Sequence, residues 1–130
     1  MEPNGTANGL TQCPRSETFW SVLRPAIFHE KVRASLRTFP EEVRRAFGKA
    51  ILEVQNGIKL VYPLSKPMIA VGHGVEEIRI KDRSGAYRVF YLAKSKRGIL
   101  VFHAFIKRTE KTPQKEIEMG KRRLREMTNA

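Results

Sequence analysis

Apolar residues recur at Val43, Ala46, Phe47, Ala50, Ile51 and Val54, steps of three and four that draw one stripe along a helix, with Arg44, Arg45, Lys49 and Glu53 off it. Pro40 stands where a first helical position would be, Glu41 and Glu42 follow at the positive end of the dipole, and Asn56-Gly57 supplies a stop. The spacing therefore predicts a helix of about four turns. Ahead of it, Arg24-Pro25 breaks the chain, Ala26-Ile27-Phe28 reads as a short extended piece, and a second helix carries Val32 and Leu36 on one side. Residues 58–74 hold two prolines and two glycines and read as a loop, with Leu60, Val61 and Leu64 pinning it to the domain.

Beyond residue 74 the period changes from helical to alternating. Ile78 and Ile80 face one way and Glu77 and Arg79 the other; Ser84-Gly85 makes a turn; and in Ala86–Leu92 the residues Tyr87, Val89 and Tyr91 oppose Arg88, Phe90 and Leu92. A basic turn over Lys94–Gly98 leads to Ile99–Ile106, apolar throughout apart from His103. Short connections make these three strands an antiparallel meander. Thr112-Pro113 then opens a basic helix with Ile117, Gly120, Leu124 and Met127 at helical spacing. The fold class is α+β: a small, mostly antiparallel sheet with two N-terminal helices and a C-terminal basic helix, the helices expected on one sheet face. Residues 1–22, with few apolar side chains before Phe19 and Trp20, read as a flexible extension, and 23–130 as the domain.

Charge changes this picture. The chain carries +12 overall, and residues 79–127 hold 15 Lys/Arg against five acids, so +10 of it lies there. A basic face on a sheet that also carries aromatics suits a phosphate polymer, because each neutralised phosphate releases condensed counterions. Cys13 is the single cysteine, which excludes a disulfide framework or a thiolate zinc site and fits a reducing cytoplasm. No apolar run approaches the ~20 residues of a membrane span, so membrane association is not expected. There is no Walker loop, no Gly-x-Ser-x-Gly elbow and no His-Glu-x-x-His.

Several motifs carry a family resemblance. They are Arg24–Ile51 with its Leu-Arg-x-Phe-Pro and Val-Arg-x-x-Phe-Gly pattern, Leu64-x-Lys66-Pro67, Gly74-Val75-x-Glu77-Ile78-Arg79, Gly85-x-Tyr87-Arg88-Val89-x-Tyr91, and His103-x-Phe105-x-Lys107-Arg108-Thr109-x-Lys111-Thr112-Pro113. Over residues 24–127 the chain resembles the RelE/HigB-like toxins of bacterial toxin–antitoxin systems, in particular their phage-derived branch. The resemblance implies a RelE-like fold and an endoribonuclease that cuts mRNA, usually on the translating ribosome. It also implies inhibition by a helix-turn-helix antitoxin, and chemistry with no metal or cofactor.

RNA scission of that kind needs the 2′-OH deprotonated, the pentavalent phosphate stabilised and the leaving 5′-oxygen protonated. By resemblance Arg88 lies on the catalytic strand, Arg79 at a basic catalytic position beside it, and Lys107 and Arg108 form the basic pair ending the last strand. An arginine fork fits phosphate oxygens. Glu77 departs from the family's basic pattern and repels phosphate unless it serves as a base. No tyrosine follows Lys107-Arg108, so His103, which titrates near neutrality, is the other candidate proton carrier. Lys81, Arg83, Lys94, Lys96, Arg97 and Lys111 are expected to track the RNA backbone. Tyr87 and Tyr91 read as core or stacking residues, and Lys121-Arg122-Arg123 as a solvated helix face. Two other readings stand beside the nuclease: a ParE-like toxin that inhibits DNA gyrase without acid–base chemistry, and a non-toxic basic RNA-binding domain.

Overall fold

The computed structural model describes residues 23–129, so the expected extension 1–22, with Phe19 and Trp20, lies outside the described residues. The elements run β1 (Ala26–Phe28), α1 (Glu30–Arg37), α2 (Glu41–Gln55), β2 (Ser65–Pro67), β3 (Val75–Asp82), β4 (Gly85–Ser95), β5 (Gly98–Lys107) and α3 (Gln114–Thr128). The sheet has five strands in the order β1-β5-β4-β3-β2. The expected meander is its centre: β3, β4 and β5 pair antiparallel, β2 adds antiparallel to β3, and β1 pairs parallel with β5.

Local chemistry sets the helix ends. His29 caps α1, its Nδ1 accepting from the Lys31 amide at 3.2 Å. Pro40 caps α2 with Glu41 and Glu42 in the first turn, and the chain leaves through Asn56 to Gly57 at φ +84°, a conformation that favours glycine. The stripe read from the sequence is what α2 buries: Val43, Phe47, Ala50, Ile51 and Val54 pack with Val32 of α1 onto Ile78, Val89, Ile99 and Val101. Each of the Val, Ile and Phe side chains taken out of water contributes roughly 1.5–3 kcal/mol.

Three expectations need correction. The helices do not share one face. Successive strand residues point to opposite sides, so Val89 joins α1 and α2 while Phe90 joins Val75, Leu100, Phe102 and Phe105 on the other side. There α3 covers them with Ile117, Leu124 and Met127. An apolar residue on each side of the central strands demands two covers. Second, the 58–74 loop contains β2, and of its three expected pins Leu60 is buried and Leu64 half-buried while Val61 is 68% exposed. Third, Arg123 in the Lys121-Arg122-Arg123 run is buried rather than solvated.

Where α3 crosses the sheet it comes close enough to require Gly120: a Cβ there would meet Phe90 at 2.9 Å. At the other end, a Cβ on Gly98 would lie 2.5 Å from the Pro25 carbonyl oxygen, which accepts from the Ile99 amide at 2.8 Å as β1 joins the sheet.

Candidate nucleic-acid interface

The ladder register places the basic residues. On the α3 side of the sheet, directly opposed residues form rows: Lys66, Glu77, Phe90, His103; then Arg79, Arg88, Phe105; then Lys81, Ala86, Lys107. α3 covers the aromatic part of this face, and the remainder is a cluster of cations around one carboxylate. Glu77 sits at its centre, 1% exposed, with the Nε of Arg88 at 3.8 Å and of Arg79 at 4.0 Å from its Oε1. These are ion pairs without hydrogen bonds. Arg88 is buried and donates from Nη1 to the Tyr87 carbonyl at 3.1 Å; Arg79 and Lys107 are half-buried and Lys66 is exposed.

The cluster is electrostatically costly. Burial pushes the Glu77 carboxyl above its ordinary value, against the pull of Arg88, Lys66, Arg79 and Lys107. Burial likewise lowers Arg88, with Glu77 opposing, and lowers Lys107, where Arg88 adds to the fall. Among the described residues four buried side-chain atoms have no hydrogen-bond partner, and three of them are here: Glu77 Oε2, Arg79 Nε and Arg88 Nε. Each orphaned group of this kind costs about 1–3 kcal/mol, and such strain gathers at functional sites.

His103 is held differently. A bulge leaves Phe102 unpaired between the Phe90–His103 and Tyr91–Val101 pairs, so consecutive residues Phe102 and His103 both reach the α3 side. Arg123 Nη1 lies 3.0 Å from His103 Nδ1, and since arginine only donates, Nδ1 accepts and Nε2 carries the proton. Nε2 then donates to Glu116 Oε1 at 2.7 Å. Burial lowers the His103 pKa, with Glu116 opposing, so the ring is neutral. It is 4% exposed, with Phe90 and Phe105 against it. Both nitrogens are engaged inside the fold, about 10 Å and two strands from Glu77.

The other nominated residues divide between the two ends of the sheet. Lys81, Arg83 in the β3–β4 turn, and Lys111 before α3 are exposed at the cluster's end. Arg108 is exposed one residue past β5, outside the contacts around Glu77. Lys94, Lys96 and Arg97 lie at the far end of β4, about 20 Å away along the strand. There Arg97 Nη1 caps α3 by donating to the Met127 carbonyl at 2.6 Å, and Lys94 lines a cleft of about 490 Å³ with Arg24, Lys59 and His73. Tyr87 and Tyr91 face α1 and α2: Tyr87 packs on Phe39 at 4.8 Å, and burial pushes the Tyr91 hydroxyl up to about 12. Sequence reasoning missed Lys66 as a site residue. Its motif was visible, but only pairing of Lys66 with Glu77 carries it to the cluster.

Fold and cluster together define a small, basic α+β domain whose sheet carries charge on a face that its last helix leaves partly uncovered. Over residues 34–125 the sequence matches the family described as "Phage derived protein Gp49-like", and the chain belongs to that family. Comparison with curated proteins gives no match. Among solved structures, the chain is similar to an arginine double mutant of the E. coli toxin RelE in the free state, at 18% identity and a TM-score of 0.44, covering 63% of this chain and 81% of that one. Among the described residues no helix is long and apolar enough to cross a membrane.

Proposed function

We propose that the chain is the toxin of a toxin–antitoxin pair and that the cluster around Glu77 is the site of a metal-free mRNA endoribonuclease acting on the translating ribosome. The observation that supports this most is the set of orphaned polar atoms on Glu77, Arg79 and Arg88, a cluster left incomplete by the fold and completed by a phosphate. In this reading the scissile phosphate takes the place of Glu77 as counter-ion to Arg79 and Arg88, with Lys66 and Lys107 closing around its oxygens.

Displacing the carboxylate frees it for proton transfer. Glu77 takes the proton of the 2′-OH, the 2′-oxygen bonds to phosphorus, and the bond to the 5′-oxygen breaks to leave a 2′,3′-cyclic phosphate. Lys107, its pKa drawn down by burial and by Arg88, supplies the proton to the departing 5′-oxygen. His103, occupied on both nitrogens, takes no part. The antitoxin, of helix-turn-helix type, meets the same basic face with carboxylates, a complementarity that speeds association.

The test is to incubate the purified chain and its Arg88→Ala variant with free mRNA and with translating ribosomes, and to analyse the cut ends. New ends bearing 2′,3′-cyclic phosphate with the parent and none with the variant are expected. Growth arrest without any RNA cleavage would overturn the nuclease reading in favour of a toxin that needs no acid–base chemistry.

A further inference from the structure

One aromatic beside the cluster stands largely outside the core. Tyr62 is 71% exposed, and the Arg79 guanidinium carbon lies 5.4 Å from its ring centroid, over the ring face. Exposed tyrosines are ordinary when they stand singly on a mobile loop, but this one is held. The turn that carries it is closed by the Ser65 amide donating to the Val61 carbonyl at 3.1 Å, and is tied to β3 by the Arg79 amide donating to the Leu64 carbonyl at 2.8 Å. On either side the chain is anchored by Leu60, 5% exposed, and by Ser65, 2% exposed, whose hydroxyl lies 3.0 Å from Glu76 Oε1. A rigid turn thus presents an aromatic plane to water with a cluster arginine on one of its faces.

We infer that Tyr62 is a base-stacking platform, a subsite that seats one unpaired nucleobase of a single-stranded RNA whose phosphate lies on Arg79 and its neighbours. This rests on the cluster's being the phosphate site proposed above. The geometry suits one nucleotide: base and phosphate are separated by a single sugar, and here an aromatic plane and a guanidinium are in direct contact. Arg79 covers one face of the ring, and the exposure of the rest leaves the opposite face for a second plane. Stacking of this kind tolerates any base, because every base presents a π-face, and requires that the base be unpaired. The site therefore selects single strands over duplexes without choosing a sequence.

The experiment measures binding of the full chain to a short 2′-O-methyl RNA, which cannot be cut by its own 2′-oxygen, and to a panel of the same strand with one base at a time removed. With the parent chain, removal of one particular base should weaken binding about tenfold. Tyr62→Ala should weaken binding to the intact strand by about the same factor and bind that abasic strand no worse than the parent does, while Tyr62→Phe keeps the full affinity. A duplex of the same sequence should show no effect of Tyr62→Ala. If Tyr62→Ala binds the intact strand as tightly as the parent while Arg88→Ala does not, the stacking subsite is overturned and the phosphate site stands. If Arg88→Ala also binds normally, the phosphate site fails and the inference falls with it. Because Tyr62 is exposed, its replacement leaves the fold intact, and an unchanged melting temperature verifies that.

Discussion

Two polar clusters lie on the same face of the sheet, Glu77 and His103 in one row two strands apart, and they differ in how far their hydrogen bonds are made. Under α3, His103 is satisfied at both nitrogens, by Arg123 at 3.0 Å and Glu116 at 2.7 Å, and the one orphaned atom there is Arg123 Nε. Beyond the helix, Glu77 faces Arg79 and Arg88 at 4.0 and 3.8 Å without a hydrogen bond to either, and orphaned atoms remain on all three. A buried group costs least when its hydrogen bonds are complete. The first cluster reads as a fastening of α3 to β5 that the fold needs, and the second as a charge arrangement that the fold tolerates. The contrast separates a hydrogen-bonded histidine from an arginine held mainly by charge, although both stand beside aromatic residues on adjacent central strands.

The largest expected effect is loss of the proposed site around Glu77. Arg88→Ala should remove on the order of 3 kcal/mol of transition-state stabilisation, roughly 10²-fold or more in single-turnover cleavage. Arg88→Lys should recover little, since an ammonium does not reproduce the fork. Retention of cleavage by a folded Arg88→Ala protein would erase the distinction between the clusters. Next in size, His103→Gln should leave cleavage within about twofold while lowering stability by about 1–3 kcal/mol, because Glu116 and the buried Arg123 lose a partner. Thermal unfolding should show this as a fall of several degrees. A drop in cleavage at unchanged melting temperature would move His103 into the chemistry instead.

Glu77→Gln sharpens the comparison through pH. Burial raises the Glu77 carboxyl, so the folded state holds its proton more tightly than the unfolded one. Stability should therefore be greatest below the ordinary carboxylate value and fall as pH rises through the raised folded value. If Glu77 is the base, cleavage rises over that same window. Glu77→Gln should flatten both profiles, and a parent chain whose stability rises with pH there would refute the assignment. The smallest effect belongs to the distant cations: Lys94→Ala with Lys96→Ala, about 20 Å from Arg88 along β4, should change RNA affinity by less than about threefold at physiological salt. A larger loss would show that the bound strand runs the length of the sheet.

Most of the architecture was legible because it is written in long periods. The stripe of α2 between Pro40 and Gly57, the alternation of β3 and β4, and the Thr112-Pro113 helix start each rest on several agreeing residues. What escaped depends on single pairings. β2 is three residues long and contains Pro67, too short and too broken for a period, so it exists only through its ladder with β3. Lys66 was hidden with it. The facing of His103 depends on a bulge, which alternation cannot foresee. Arg123 looked like the middle of a charged run, yet Gly120, Arg123 and Met127 are spaced as one helix face, and a lone histidine in an apolar strand was the one signal that a polar partner had to be buried opposite it. At the cluster, alternation set Glu77 and Arg79 apart from Ile78 and Ile80 on β3, and Arg88 apart from Tyr87 and Val89 on β4, the resemblance added Lys107, and the ladder register brings the two sets to one side. Neither could show how little hydrogen bonding holds them.

The parallel seating of β1 beside β5 has a practical corollary. Because Ala26 pairs with Ile99 at the start of β5, and Arg97 grips the Met127 carbonyl at the end of α3, the first and last described residues both leave from the Gly98 side of the molecule. Lys107 and the exposed Lys81 and Arg83 lie at the opposite end. A fluorophore, a surface anchor or a fused protein attached through either of these exits begins its path on the side away from the Glu77 cluster. The domain can thus be immobilised from behind, with the Glu77 cluster left open at its front to any ligand offered to it.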